Sequence, residues 1–337
     1  MLFTKGSGTM KPRVFLALAS CLVVLGVCGV TTAQDATEPS FTLREVAPNV
    51  WAAISNPKSR TRAPANTGFV IGDDGVAVID ASMSVDADGN LGTETAKQAL
   101  AAIRTITKLP VRFVINTHHH LDHVGGNSVF VDAGAIVLAQ RNVRGWIHSE
   151  HLRLLNKDTK PQIRVFMDAL VLPTVTYDQS VDLHLGSRTI QVRSFPGHTG
   201  GDSVVVIPDA KVVFAGDLLW RDIVPTLTDA STKPWIDTLD TLAKNEPGAT
   251  FVPGHGEVGT AKDVVALREF LVTLRKLVSD ARALRKSGEA LADAVMPGLS
   301  GNYSRWEGLE FAARSSILET DAELSGKKRI PPVEQAR

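Results

Sequence analysis

Cysteine is almost absent from this chain of 337 residues, because its two cysteines, Cys21 and Cys28, both lie within the first 33 positions. If those positions are removed, the remaining chain has neither a thiol nor a disulfide. Its stability must then come from an apolar core and from any metal ion that it binds. Apolar residues make up 44% of the sequence, which is sufficient for the core of one large domain.

A strong net charge is also absent, since the whole chain has 36 basic and 36 acidic residues. The first 33 positions hold three basic residues, Lys5, Lys11 and Arg13, and no acidic one. The rest of the chain therefore has 33 basic and 36 acidic residues, a net charge of −3. Nucleic-acid-binding proteins usually carry a basic surface, so we expect no nucleic-acid partner.

Long apolar runs are limited to one segment near the start of the chain. The run from Val14 to Val30 follows the three basic residues and precedes the small residues Thr31-Thr32-Ala33. This order predicts a signal peptide at residues 1–33 and a periplasmic or secreted protein with no stable membrane insertion after cleavage. An uncleaved anchor is the alternative. The lipobox-like Leu18-Ala19-Ser20-Cys21 favours lipidation less, because most of the apolar run follows Cys21.

The densest cluster of potential metal ligands lies between His118 and His123, where four histidines and one aspartate occupy six positions. The apolar segment from Val111 to Ile115 precedes them and predicts a buried strand, and the Gly125-Gly126 pair follows as a turn. The segment thus belongs to a loop at the carboxyl end of a strand, where α/β sheets usually bind ligands. Imidazole with one carboxylate suits zinc, manganese or iron, so we interpret this segment as a metal site.

Three later residues follow predicted strands in the same way. His198 lies in the glycine-rich turn Pro196-Gly197-His198-Thr199-Gly200 after a strand, and Asp217 follows the predicted strand 211–215. His255 lies in Pro253-Gly254-His255-Gly256 after a third strand. The order of strands predicts that all three residues lie at the same edge of the sheet as the cluster from His118 to His123.

The early part of the chain also predicts regular elements. Segments 68–71 and 76–79 flank Gly72-Asp73-Asp74-Gly75, whose residues suit a hairpin turn, and Asp80 ends the second strand. Residues 93–108 have apolar positions at helical spacing, and Pro110 closes the predicted helix.

The H-x-H-x-D-H core formed by His118, His120, Asp122 and His123 resembles the signature of the metallo-β-lactamase superfamily. The resemblance covers roughly residues 40–260 and implies an α/β fold, a four-layer αβ/βα sandwich of two facing sheets with helices outside. We therefore expect a metallo-β-lactamase-like domain at 34–260, a C-terminal helical extension at 261–319 and a loose tail at 320–337.

The resemblance also implies two zinc ions per chain, although iron and manganese are compatible with the same ligands. One metal would be held by His118, His120 and His198. The other would be held by Asp122, His123 and His255, with Asp217 bridging the two. A zinc-bound hydroxide would attack the substrate, and Asp122 would act in catalysis by orienting the water. The lack of cysteine excludes family variants that use a thiolate in the second site.

These implications predict a secreted metal-dependent hydrolase of a small acyl substrate, namely a β-lactam, lactone, ester or thioester. Dedicated β-lactamases of the family generally lack the bridging aspartate, so Asp217 shifts the expectation toward the other acyl substrates. One alternative is an oxidoreductase similar to mononuclear iron sulfur dioxygenases, with iron held by His118, His198 and Asp217. Another is an accessory metalloprotein of a periplasmic redox system. The sequence does not indicate an oligomeric state.

Four other histidines have less specific surroundings. We expect His119 to pack within its loop and His184 to lie on the surface of a strand. His148 and His151 are one turn apart on a helix predicted at 141–157, where a solvated face is favoured over a metal site.

Several polar and aromatic residues near the predicted site are candidate substrate contacts. We expect Lys58, Arg60 and Arg62 to lie in a solvated loop. The alternative is that they bind a carboxylate group of the substrate. Residues that could line the pocket or donate a hydrogen bond to an oxyanion are Trp220, Arg221, Tyr177 and Tyr303.

Overall fold

A computed structural model describes residues 38–152 and 155–331 of the chain. The predicted signal peptide and residues 332–337 of the predicted tail lie outside these ranges. None of the helices in the described ranges combines the length and the apolar character that crossing a membrane requires.

Two sheets contain most of the strands of the described chain. The strands, numbered in chain order, are β1 (Phe41–Ala47), β2 (Val50–Ser55), β3 (Thr67–Ile71), β4 (Val76–Ile79), β5 (Ser84–Val85), β6 (Leu91–Gly92), β7 (Val111–Asn116), β8 (Ile136–Gln140), β9 (Val175–Tyr177), β10 (Ser180–Leu185), β11 (Arg188–Ser194), β12 (Ser203–Ile207), β13 (Val212–Trp220) and β14 (Thr250–His255).

The first sheet has seven strands in the order β1-β2-β3-β4-β7-β8-β9, and the second has five in the order β10-β11-β12-β13-β14. Strands β4, β7, β8 and β9 run parallel, as do β13 and β14. Parallel strands place their carboxyl ends at a common edge. The loops after β4, β7 and β14 therefore meet at the edge that carries the site.

Helices follow the strands and fill the outer layers. They are α1 (Glu94–Ile106), α2 (Leu121–Val124), α3 (Asn127–Asp132), α4 (Arg141–Leu152), α5 (Pro161–Asp168), α6 (Thr232–Asn245), α7 (Ala261–Ala283), α8 (Gly288–Tyr303) and α9 (Leu309–Leu324).

Three apolar clusters hold the layers together. Side chains of both sheets meet in a central cluster that includes Val70 and Ile115 from one sheet and Val205 and Phe214 from the other. Helix α1 covers the outer face of the first sheet, and α6 and α7 cover the outer face of the second. The predicted four-layer αβ/βα sandwich with C-terminal helices is confirmed.

Several predicted element boundaries were wrong. The helix predicted at 141–157 ends as α4 at Leu152, and residues 155–157 are not helical. The tail predicted from residue 320 begins later, because α9 continues to Leu324. The side chains of Ile317 and Thr320 are fully buried, and this packing keeps the last turns of α9 helical.

Candidate metal centre

Strand β7 and the short helix α2 position the densest group of histidines. His118 and His119 follow the end of β7, and His120 occupies the N-cap of α2, so His123 lies within the helix. The backbone just after β7 is fixed by Asp80, whose two carboxylate oxygens accept from the N–H of Thr117 at 2.7 Å and from its hydroxyl at 2.8 Å. The backbone that leads into the histidine motif is therefore held in one position.

The first group consists of His118, His120, His198 and Asp217, whose candidate ligand atoms all lie within 4.8 Å of one another. Nδ1 of His120 and Nε2 of His198 are 3.0 Å apart. Oδ2 of Asp217 lies 3.2 Å from Nε2 of His198 and 3.7 Å from Nε2 of His118. The structure therefore brings together the three histidines that the sequence assigned to one metal.

The second group consists of Asp122, His123 and His255, which also offer ligand atoms within 4.8 Å of one another. Oδ2 of Asp122 lies 3.4 Å from Nε2 of His255 and 3.7 Å from Nε2 of His123. The other carboxylate oxygen of Asp217, Oδ1, is 3.0 Å from Nε2 of His123 and 3.2 Å from Nε2 of His255. Asp217 thus directs one oxygen toward each group.

Asp217 was predicted just after a strand, but it lies inside β13, which extends to Trp220. Gly216 has φ +50°, and the pairing of β13 with β14 is irregular at this residue. A glycine is suited to this conformation because it has no Cβ. The distortion lets a buried strand carry a carboxylate into the centre.

The buried polar atoms of the centre fit a cation. Among the described residues, Nε2 of His118, His123 and His255 and Oδ1 of Asp217 are buried without a hydrogen-bond partner. Such atoms are rare in folded proteins unless a ligand or ion satisfies them. Imidazole nitrogens and carboxylate oxygens that converge in this way are suited to metal ions of the zinc type.

The two groups differ in charge. Burial lowers the pKa of His198 to about 3, and it keeps the pKa of His118 well below its usual value. Burial also acts against the charged form of His255, but the carboxylate of Asp217 outweighs it and raises that pKa to about 9. At neutral pH the imidazoles of His118 and His198 are therefore neutral, whereas the raised pKa of His255 favours a protonated ring, whose proton a metal ion would displace.

Two aspartates near the centre were not identified as functional from the sequence. Asp80 lies 2.8 Å from Nδ1 of His123, and Asp229 lies 3.1 Å from Nε2 of His120. A carboxylate of this kind fixes the orientation of a metal-ligating imidazole. One feature of the sequence could have identified Asp80, namely its place at the end of a buried strand. No feature of the sequence around Asp229 could have identified that residue.

The neighbouring histidines have packing roles. His119 is buried as predicted, with its ring 5.4 Å from Trp146 and stacked on His151 at 5.7 Å. The prediction of a solvated position for His151 was wrong, because its side chain faces inward from α4 and its Nδ1 lies 2.7 Å from the carbonyl oxygen of Ile147. His184 is exposed, as expected.

A cavity of about 350 Å³ lies beside the second group. Trp220 stacks on His255 with ring centroids 3.9 Å apart, and Arg221 is part of the cavity wall. The lining residues are Ile54, Ser55, Pro57, Pro64, Asn66, Arg221, Asp222, Ile223, His255, Gly256, Glu257 and Glu307.

The other candidate substrate contacts do not line this cavity. Lys58, Arg60 and Arg62 are exposed and are not part of the cavity wall. The hydroxyl of Tyr177 is 2.6 Å from Oγ of Ser203, and that of Tyr303 is 3.2 Å from Oγ1 of Thr273. Both tyrosines are therefore engaged in packing contacts, and we do not assign them to the centre.

Comparison with known proteins agrees with this geometry. A family model described as the metallo-beta-lactamase superfamily matches residues 60–255. The chain is 28% identical over 210 residues to a hydroxyacylglutathione hydrolase of Mesorhizobium japonicum, covering 61% of this chain and 73% of that protein. It is 22% identical over 227 residues to a linear primary-alkylsulfatase of a Pseudomonas species, covering 57% of this chain but 41% of the alkylsulfatase.

Two solved structures have a similar fold. A metallo-beta-lactamase from Pontibacter korlensis superposes with a TM-score of 0.53 at 22% identity, covering 68% of this chain and 98% of that one. The structure of VMB-1 gives the same TM-score at 20% identity and covers 70% of this chain and 98% of that one. At these identities the likeness concerns the fold alone.

Proposed function

The chain belongs to the metallo-beta-lactamase superfamily, and from this premise we propose that it is a dinuclear zinc hydrolase of a small acyl substrate. The observation that carries the proposal is the position of Asp217, whose two oxygens lie 3.2 Å from His198 and 3.0 Å from His123. A bridging carboxylate of this kind suits two metal ions better than one.

Each group has its own part in the proposed reaction. Bound zinc ions would act as Lewis acids and lower the pKa of a water molecule to near 7. His118, His120 and His198 would hold one ion and Asp122, His123 and His255 the other. Asp122 is the most exposed carboxylate of the centre, and the imidazoles of His123 and His255 outweigh burial and keep its pKa below the usual value, so as an anion it would accept a hydrogen bond from the attacking water.

The cavity beside His255 supports a small substrate. Its volume of about 350 Å³ is near the lower end of the usual range for small-molecule sites. Ile54 and Pro64 give it apolar surface, and Asn66 gives it a polar group. The likeness to hydroxyacylglutathione hydrolases favours a thioester or another activated acyl group, followed by lactones and β-lactams.

The test is the initial rate of hydrolysis of a panel that contains a thioester, a lactone, an ester and a β-lactam. Rates are measured with the zinc-loaded protein and again after treatment with a chelator. We expect at least one substrate to be hydrolysed, with loss of the rate on chelation and recovery on addition of zinc. A zinc-loaded protein that hydrolyses none of the four classes would contradict the proposal.

The oxidoreductase alternative requires only His118, His198 and Asp217 as iron ligands. The complete second group favours the dinuclear hydrolase over it, because three further ligand atoms converge within 4.8 Å of one another. One iron per chain in the purified protein, with oxygen consumption on a sulfur substrate, would favour the oxidoreductase. An accessory metalloprotein would bind metal without turnover of any of these substrates.

We also propose that the protein acts outside the cytoplasm on a small molecule and not on nucleic acid. The support is the basic and apolar order of residues 1–33 and the net charge of −3 that remains without them. Cell fractionation with N-terminal sequencing tests the first point. A mature protein that begins near Gln34 in the exported fraction is expected, and an intact N-terminus in the cytoplasm would contradict it.

A further inference from the structure

We propose that the C-terminal helices hold the segment 221–231, here called the Asp229 loop, so that Asp229 fixes the ring of His120 and raises the affinity of the first group for zinc. This inference rests on the proposed function, because it treats the first group as a zinc site. It gives the C-terminal extension a positioning role in addition to the place of Glu307 in the cavity wall.

The contact between the loop and the centre is short and directional. Oδ2 of Asp229 lies 3.1 Å from Nε2 of His120 and 3.5 Å from Nε2 of His119. The other nitrogen of His120, Nδ1, faces His198 at 3.0 Å and is the one available to a metal ion. A carboxylate on the far nitrogen of a ligating histidine sets its tautomer and orientation.

The backbone of the extension pairs with the start of the loop. Glu307, in the turn between α8 and α9, donates its N–H to the carbonyl of Asp222 at 2.8 Å. Its carbonyl accepts from the N–H of Val224 at 2.9 Å, which makes a β-bridge with Ile223. The path of the loop away from β13 is therefore fixed by a residue more than eighty positions later in the chain.

Helix α9 anchors both flanks of the loop. The buried hydroxyl of Ser316 donates to the carbonyl of Pro225 at 2.8 Å. Beyond the loop, Oε2 of Glu323 accepts from the N–H of Thr232 at 3.0 Å and from its hydroxyl at 2.7 Å. These bonds fix the loop before and after Asp229, which lies between the two anchors.

The residues after α9 add a third anchor. Nζ of Lys328 donates to the carbonyl of Leu227, two positions before Asp229, and its side chain is only 5% exposed. Arg329 pairs with Glu150 of α4 at 2.6 and 3.0 Å, and the carboxylate of Glu150 is buried. Nζ of Lys328 also lies 3.5 Å from Oε2 of Glu319 on α9, so the buried lysine links the loop carbonyl to that helix.

The anchors converge on one loop and leave Asp229 little freedom. Surface loops are normally among the least stable parts of a fold and open locally. The contacts of Glu307, Ser316, Glu323 and Lys328 oppose such opening. A carboxylate that is already fixed before metal binding loses less conformational entropy when it orients a metal ligand. Zinc affinity should therefore depend on the residues that anchor the loop.

The test compares a double variant, Lys328→Met with Glu323→Gln, to the control Arg314→Met. Arg314 is also on α9 and forms ion pairs with Glu289 and Asp293, but these contacts lie within the extension. Amide hydrogen exchange of residues 222–231 is measured in the metal-free protein. Affinity for the first equivalent of zinc is measured by competition with a chelating dye.

We expect the double variant to exchange faster in the Asp229 loop and to bind the first zinc about 10-fold to 100-fold more weakly, the range for loss of an outer-shell partner. The control should change neither quantity. Asp229→Asn alone should weaken binding similarly. Adding the double variant to Asp229→Asn should then cause little further loss, because both changes act through the same contact.

Several results would overturn the inference. Unchanged exchange in the loop, or faster exchange with unchanged zinc affinity, would each do so, and so would additive losses in the combined variant. If the double variant does not fold, Ser316→Ala removes one anchor and should give a smaller change in the same directions. A wild-type protein that binds no zinc would refute the proposed function, whereas loop exchange would still report on the anchors.

Discussion

At the scale of single residues, Asp217 connects the two groups of the centre. Its carboxylate is almost fully buried, yet the imidazoles of His255, His123 and His118 outweigh burial and keep its pKa well below the usual value. It is therefore an anion at neutral pH, placed where two cations would otherwise repel each other. The dinuclear proposal depends on this charge.

Replacing Asp217 by asparagine should remove that charge with little change in volume. We expect zinc content to fall from two ions per chain toward one, and hydrolysis to fall by at least ~10-fold to 100-fold, as for loss of a metal-centre ligand or its partner. Zinc analysis after gel filtration measures the first effect. Asp182→Asn, at an exposed residue paired with Arg193, serves as the control and should retain both ions. Two zinc ions in the Asp217 variant would contradict the bridging role.

The charge difference between the two groups predicts a pH dependence of metal binding. The pKa of His255 is raised to about 9, so binding at neutral pH must displace its proton and weakens as the pH falls. Burial lowers the pKa of His198 to about 3, so this imidazole binds metal without releasing a proton except at strongly acid pH. Zinc affinity of the second group should therefore decline first on acidification.

Calorimetric titration of the metal-free protein in buffers of different ionisation enthalpy measures the protons released by each equivalent of zinc. We expect the second equivalent to release more protons than the first, because the pKa values of both His255 and His123 are raised. Equal proton release for both equivalents, or loss of both ions together on mild acidification, would contradict the assignment.

At the scale of elements, β13 shows how a buried strand can carry a ligand. Gly216 adopts φ +50° next to Asp217, and an added Cβ would lie 2.5 Å from Oγ1 of Thr117. Thr117 itself is held by Asp80. The distorted part of β13 therefore packs against Thr117, just after β7, directly behind the centre.

Gly216→Ala should accordingly be destabilising, by about 1–3 kcal/mol for a strained backbone residue, and more if Thr117 cannot move. Denaturant unfolding of the metal-free protein measures the change. Gly248→Ala is the matched control, because an added Cβ there meets nothing within 4 Å. Equal stabilities of the two variants would show that the glycine conformation is not required.

The sequence predicted those elements that local pattern determines. The hairpin of β3 and β4 follows from two apolar segments around a turn with suitable residues, and β7 follows from the apolar segment before the histidines. The end of α9 was missed because it depends on tertiary packing, as the full burial of Thr320 shows. Local propensity does not contain that information.

The same division applies to the centre. The family resemblance of the motifs implied seven ligands, and the structure brings all seven together at one edge. Asp80 and Asp229 were not recognised, since their roles come from contacts across 43 and 109 residues of chain. Sequence patterns of a single chain carry little trace of such pairings.

At the scale of the whole molecule, the centre joins the two halves of the sandwich. His118 and His123 come from the loop after β7 of the first sheet, whereas Asp217 and His255 come from β13 and β14 of the second. A metal ion bound between them would link the sheets at one edge. Metal binding should therefore stabilise the whole fold.

Removal of zinc should lower the midpoint of thermal unfolding. For one site, zinc at 100 times its dissociation constant stabilises the folded state by about 2.7 kcal/mol, because the folded chain binds it preferentially. Thermal unfolding with and without a chelator measures the shift, and magnesium in place of zinc is the control. An unfolding midpoint that does not depend on zinc would contradict a centre that spans both sheets.

The most direct test of the central claim is a titration of the metal-free protein with zinc, in which bound metal and hydrolysis of the best acyl substrate are measured on the same samples. The proposal predicts that binding saturates at two equivalents per chain and that full activity requires the second. Saturation at one equivalent, or activity that is independent of zinc, would contradict a dinuclear zinc hydrolase.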